Sequence, residues 1–222
     1  MGNNKTIYET RQDAIDAYKA YIDKHIECVK KAYEMFGAEI IKRLFEYRSP
    51  TADNTTSIFD HKLAIANTRD TTALNGTFIN LEAMETIIAQ HDASKYSKEE
   101  FEPYRAHHYP SKEDIDNDHH DKIERDYKLA WVHHFHNNKH HPEYWITNIN
   151  GEFVKLHMDN QSFIEMICDW IAVSMCFNSS TYDWWINADG GRKEKKELLQ
   201  EDDIIFLDKL ITDLKFDFSS KK

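Results

Sequence analysis

Two clusters of imidazole and carboxylate side chains carry most of the chemistry this chain offers. The first is His91-Asp92, followed by Ser94 and Lys95. Leu81, Met84, Ile87, Ile88 and His91 recur at three- and four-residue intervals, which places the imidazole on the buried face of a predicted helix. Neutral imidazole and carboxylate are both ordinary ligands of a divalent cation, and such an ion offsets the cost of burying the anion. By itself a His-Asp dipeptide has a plainer reading, a helix-end His hydrogen-bonded to its neighbour.

The second cluster runs from Tyr127 to Trp145, with five His between His133 and His141. On a helix Tyr127, Trp131, His134, Asn138 and His141 form one ladder, so an aromatic face leads into a polar group. Pro142 biases His141 out of the helical region and ends the element. A solvated His-rich helix is the alternative, but Trp131, Tyr144 and Trp145 argue for burial of part of the stretch.

Further candidates sit on the helices that must position these groups. Ala14, Ala17, Tyr18, Tyr21, His25, Val29, Ala32 and Phe36 predict a helix from about Thr10 to Arg48, with a kink at Gly37. Phe163, Met166, Ile167, Trp170, Val173 and Phe177 mark the apolar side of another, starting near Asp159 or Asn160. Asp169 falls within that arc and Glu165 lies one turn earlier. Taken singly, His25 reads as a core histidine and Asp169 as half of a salt bridge.

Between these elements, Ser49 to Gly76 reads as a long surface connection with a short element near Phe59 to Ile65, and His61 there is given no ligand role. Ser97-Lys98-Glu99-Glu100 has the form of a capping box with Ser97 at the N-cap. The His pairs within Ala106 to Asp126 lack an apolar frame and read as solvated. A turn is predicted at Asn148 to Gly151, aromatic packing at Tyr182 to Trp185, and a covering helix over Leu198 to Leu214. The expectation is an all-α single domain over residues 1–222, with its core at about 10–178.

Composition narrows the partners. A formal charge of -11 over 222 residues disfavours a protein that wraps long nucleic acid, while a nucleotide in a local pocket stays open. Three cysteines in apolar surroundings suit reduced thiols in a cytoplasm, and neither a signal peptide nor a spanning segment is visible.

The order His25, then His91-Asp92, then Asp169 on three separate predicted helices resembles the HD superfamily of metal-dependent phosphohydrolases. Lys24-His25-Ile26-Glu27-Cys28-Val29 looks like the first-helix motif of that superfamily, and His91-Asp92-Ala93-Ser94 is similar to the segment of bacterial deoxynucleoside 5′-monophosphatases. HDASKYSKEEFEPY, AWVHHFHNNKHHPEYW and EMICDW together look like a little-characterised, HD-like phage and bacterial family, a similarity spanning roughly His25 to Trp170. The resemblance implies an HD-domain-like helical bundle with long loop insertions. It implies one or two divalent ions (Mn, Mg, Co, Zn or Fe), with His25, His91, Asp92 and Asp169 as ligands. The implied activity is hydrolysis of a nucleotide or related small phosphoester through a metal-activated water.

Two departures stand out. Where the nucleotidases carry an acidic residue three positions beyond the motif Asp, this chain has Lys95, a poor base but a good partner for phosphate. Water activation then falls to the metal, to Asp92, or to Glu99 or Glu165, while Lys95, Ser94 and Asn138 bind substrate. The additional His134, His140 and His141 resemble the extra ligands of two-metal HD phosphodiesterases and HD-type di-iron oxygenases, and offer a second metal position. A di-iron oxygenase and a non-catalytic metal- or nucleotide-binding protein are the alternatives, and a homo-oligomer is left open.

Overall fold

The computed structural model describes residues 6–48, 79–116, 120–187 and 189–219. The segment 49–78, with His61 and the expected surface connection, lies outside the described residues. Among the described residues the fold is all-α but for one small hairpin, and the all-α class is what the periodicity predicts.

Helix α1 spans Arg11–Arg48 without interruption. Its start is fixed reciprocally: Thr10 Oγ1 accepts from the Asp13 N–H at 3.1 Å, and Asp13 Oδ2 accepts from the Thr10 N–H at 3.2 Å. The helix is not interrupted at Gly37. A Cβ at that position would stand 2.6 Å from Cδ2 of Tyr33, so the missing side chain makes room for a ring one turn back on the same helix.

After α1 the chain forms α2 (Leu81–Ala89), a 3-10 turn (Ala93–Tyr96), α3 (Phe101–His108), α4 (Lys112–Asp116) and α5 (His120–Asn137). The His91 helix thus ends sooner than its periodicity suggests, and His91 and Asp92 occupy the turn beyond it. The capping box at Ser97 does not form either. Glu100 precedes α3 without capping it, because both its carboxylate oxygens are engaged by histidines of α5. His107 is not solvated: its ring stacks on Tyr127 with centroids 3.8 Å apart, and its Nε2 lies 3.0 Å from Glu124 Oε1.

A second 3-10 turn (Pro142–Trp145) leads into the antiparallel strands β1 (Ile146–Ile149) and β2 (Glu152–Lys155). Asn150 and Gly151, with φ of 53° and 91°, close the hairpin in the left-handed backbone region that such two-residue turns demand. Helix α6 (Asn160–Cys176) is capped by Asp159, which accepts from the Ser162 N–H at 2.8 Å. Helices α7 (Thr181–Ile186), α8 (Gly191–Lys196) and α9 (Glu201–Leu214) complete the chain.

The framework is the pairing of α1 with α6. Val29, Ala32, Ile40 and Leu44 share one apolar core with Phe163, Ile164, Ile167 and Ile171, and α9 covers it with Ile204, Leu207, Leu210 and Ile211. A smaller cluster gathers Tyr18 and Ile22 of α1 with Tyr104 of α3 and Ala130 of α5. Along α1, His25 falls between Ile22 of the small cluster and Val29 of the large one, so it stands at their junction. Val173 and Phe177, expected on the apolar side of α6, are instead 39% and 62% exposed. Among the described residues no helix is long and apolar enough to cross a membrane.

Candidate metal centre

Four segments converge on the junction between the two apolar clusters. Helix α1 supplies His25, the turn after α2 supplies His91 and Asp92, α6 supplies Asp169, and α5 with the segment after it supplies His134 and His140. Asp92 takes a left-handed backbone, with φ of 55°. That conformation is uncommon for a residue with a side chain, and it breaks the helical path immediately after the imidazole.

On one side of the Asp92 carboxylate, His25 Nε2 lies 3.0 Å from Asp169 Oδ1, 3.3 Å from His91 Nε2 and 3.6 Å from Asp92 Oδ2. His91 Nε2 lies 3.4 Å from Asp92 Oδ2 and 3.7 Å from Asp169 Oδ1. Neighbouring ligands of one ion, each about 2.1 Å from it, stand about 3.0–3.4 Å apart. The four proposed ligands therefore turn their donor atoms toward one small region.

On the other side, Asp92 Oδ1 lies 3.3 Å from His134 Nε2 and 3.6 Å from His140 Nε2, with His141 completing the group. Asp92 Oδ1, His140 Nε2 and His141 Nε2 are buried and have no hydrogen-bond partner among the described residues. Each such atom costs about 1–3 kcal/mol if left alone. Lone pairs that face one another within a closed space fit a cation better than they fit one another.

Carboxylates behind the imidazoles set which ring nitrogen faces inward. His91 donates from Nδ1 to Glu165 Oε1 at 2.9 Å, and His140 Nδ1 lies 3.2 Å from the same oxygen. His134 Nδ1 donates to Glu100 Oε2 at 2.8 Å, and His133 Nδ1 donates to Glu100 Oε1 at 2.7 Å. For His91, His134 and His140 this leaves Nε2 for the centre, the arrangement that metal-binding histidines use to fix tautomer and ring orientation. Glu100 is a site residue that the sequence reading assigned to helix capping. Glu99, considered there as a base, keeps a side chain 43% exposed beside Lys98 and stands outside the cluster.

Lys95 Nζ lies 2.6 Å from Asp92 Oδ2. Burial opposes its charge, but Asp92 with Tyr21 and Asp169 together more than offset burial and raise the lysine pKa, so the ammonium persists at neutral pH. Ser94 donates to Glu100 Oε2 at 3.0 Å, and Asn138 donates to Ser94 Oγ at 2.7 Å and to the His134 carbonyl at 2.8 Å. These two hold the His134 side of the cluster together.

Charge is distributed to match. Burial works against ionising Asp92 and Asp169, yet the adjacent His91, with Lys95 at Asp92 and His25 at Asp169, pulls both carboxyls well below their usual range. Burial likewise opposes protonation of His91 and His134, but the carboxylates around them raise both values. His141 moves the other way, because burial and the neighbouring His140 and His134 favour its neutral form. Among the cluster, Asp169 and Lys95 retain 16% and 14% side-chain exposure, whereas His25, His91, Asp92, His134 and His140 retain 3% or less. The cluster therefore opens to solvent past Asp169 and Lys95.

Fold and cluster together define an all-α protein with a buried histidine-carboxylate centre whose donors fit a divalent ion. The chain belongs to DUF5662, a family of unknown function, whose profile matches residues 14–213. No curated protein and no solved structure matches it.

Proposed function

We propose that this protein is a metal-dependent phosphohydrolase of the HD type, acting on a nucleotide or a related small phosphoester. The observation that carries the reading is the position of Asp92, whose two oxygens face separate groups of imidazoles, His25 with His91 and His134 with His140. His25, His91, Asp92 and Asp169 would hold one ion, and Asp92, His134 and His140, with His141 beside them, a second. Such ions supply a water that loses its proton near neutral pH and a positive charge for the phosphoryl oxygens.

The chain's own residues do the rest. Glu165 and Glu100 hold three imidazoles in register, so Glu165 acts here by positioning and not as the base. Lys95, partly exposed and charged, meets the anionic substrate at the open side. Ser94 and Asn138 lie next to His134, in reach of a phosphoryl group bound there. Burial and the neighbouring His140 and His134 favour the neutral form of His141, the form that would ligate an ion beside them.

The test is release of phosphate from a panel of nucleotides and simple phosphoesters with Mn, Mg, Co or Zn. Turnover should need the metal and fall at least ~100-fold in Asp92→Ala, with tight metal binding lost. Unchanged turnover in that variant would rule the reading out.

A nitrogen-rich donor set around one carboxylate also suits iron, and Lys95 replaces the acidic water activator of the nucleotidases. These features support a di-iron oxygenase as the second reading. Bound iron with oxygen consumption, and no phosphatase activity under any metal, would select it.

A further inference from the structure

A separate group of donors lies where the segment entering α6 meets the start of α9. His157 Nδ1 is 4.0 Å from Asp202 Oδ2 and 3.9 Å from Asp203 Oδ2, and all three donors lie within 4.8 Å of one another. With the third separation at most 4.8 Å, the three atoms surround a point no more than about 2.5 Å from each, a few tenths of an ångström from the bond length of zinc to nitrogen or oxygen.

Acidic residues are common in a first helical turn, where they offset the dipole, and Glu201, Asp202 and Asp203 serve α9 in this way. That role leaves two things unexplained, the imidazole facing them and the state of Asp203. The Asp203 side chain is only 2% exposed. Its Oδ1 accepts from Arg48 Nη2 at 2.6 Å, but its Oδ2 is buried and has no hydrogen-bond donor among the described residues. His157 Nδ1 lies too far from that oxygen for a hydrogen bond. A carboxylate oxygen aimed into the group and left without a partner is the mark of a missing cation.

We propose that His157, Asp202 and Asp203 form a second, independent site for a zinc-class divalent cation, with water in the remaining position. One nitrogen and two oxygens suit zinc or nickel better than calcium or magnesium, which favour all-oxygen shells. Asp203 is tied through Arg48 to Asn160 at the start of α6 and to the end of α1. An ion here therefore clamps the 156–159 segment and α9 against the α1-α6 framework, a stabilising role and not a catalytic one. Arg48 and the helix dipole oppose the ion, so this site binds more weakly than the Asp92 centre.

The test titrates zinc chloride into the full-length, chelator-treated protein by calorimetry, alongside His157→Ala and Asp202→Asn. Both replaced side chains are more than half exposed, so the fold survives their loss. Each variant should bind one equivalent of zinc fewer than the wild type. Zinc should also shift the ring nitrogen resonances of His157 in the wild type, and raise its Tm by more than that of either variant. Equal zinc stoichiometry in all three proteins, or a His157 ring that does not respond, would overturn the site. An Asp169→Asn variant keeps this equivalent, which separates the result from the fate of the phosphohydrolase reading.

Discussion

Asp92 is the residue on which the centre turns, and its surroundings make the clearest demands on experiment. His91 and His140 both present Nδ1 to Glu165 Oε1. Replacing Glu165 by Gln removes a negative charge without removing volume, so it should weaken metal affinity about 10- to 100-fold and leave helical content intact. Metal affinity within twofold of wild type would mean that the carboxylate does not position the rings. Protons compete for the same nitrogens. In the metal-free protein burial lowers the pKa of His91 and His134, but Asp92 and the other carboxylates more than reverse this. A raised folded pKa gives stability that is complete below about pH 6.5 and is lost as pH rises through the folded value. Metal binding needs those nitrogens deprotonated, so it strengthens over the same window. The Tm of metal-free protein should thus fall as pH rises above about 6.5, while the increment given by Mn grows. An increment that does not change with pH would contradict this account of the two histidines.

Among the elements, α1 and α6 were legible because a stripe of 3.6-residue periodicity survives whatever they pack against. The start of α6 near Asp159 or Asn160 and the turn within Asn148 to Gly151 were legible from local signals too, though the capping role of Asp159 was not drawn from them. Glu100 was not. A Ser followed three residues later by Glu reads as a cap, and only the fold reveals that α5 claims both oxygens of the carboxylate, 34 residues away at His134. The hairpin was missed because its strands are four residues long, with Phe153 81% exposed, and so lack the alternation that marks a half-buried strand. The candidate site was legible as a set of residues only through the resemblance of His25, His91-Asp92 and Asp169 to the HD pattern, since a lone His or Asp on a helical stripe has a plainer reading. Its division into two groups about Asp92 was not, because that depends on where α5 crosses. The position of α3 and α4 rests on Arg105, which is fully buried and donates to both oxygens of Asp114 at 2.5 and 2.9 Å. Arg105→Ala leaves Asp114 without its cation and should cost about 3–5 kcal/mol in urea unfolding. A loss below about 1 kcal/mol would show that α4 is held by other means.

At the scale of the whole molecule, a charge of -11 is carried by a chain that turns four of its imidazoles inward about one carboxylate. Two apolar clusters meet on α1, and the polar centre occupies their seam, where α1, α5, α6 and the turn after α2 all reach it. A shared cation would offset the cost of that burial, and it is the premise on which the proposed phosphohydrolase reading stands. The most direct measurement is an anomalous difference map from crystals of the protein grown with Mn. The account predicts a peak bounded by His25, His91, Asp92 and Asp169, and a second beyond the other Asp92 oxygen beside His134 and His140. A map with no peak within bonding distance of Asp92 would contradict it.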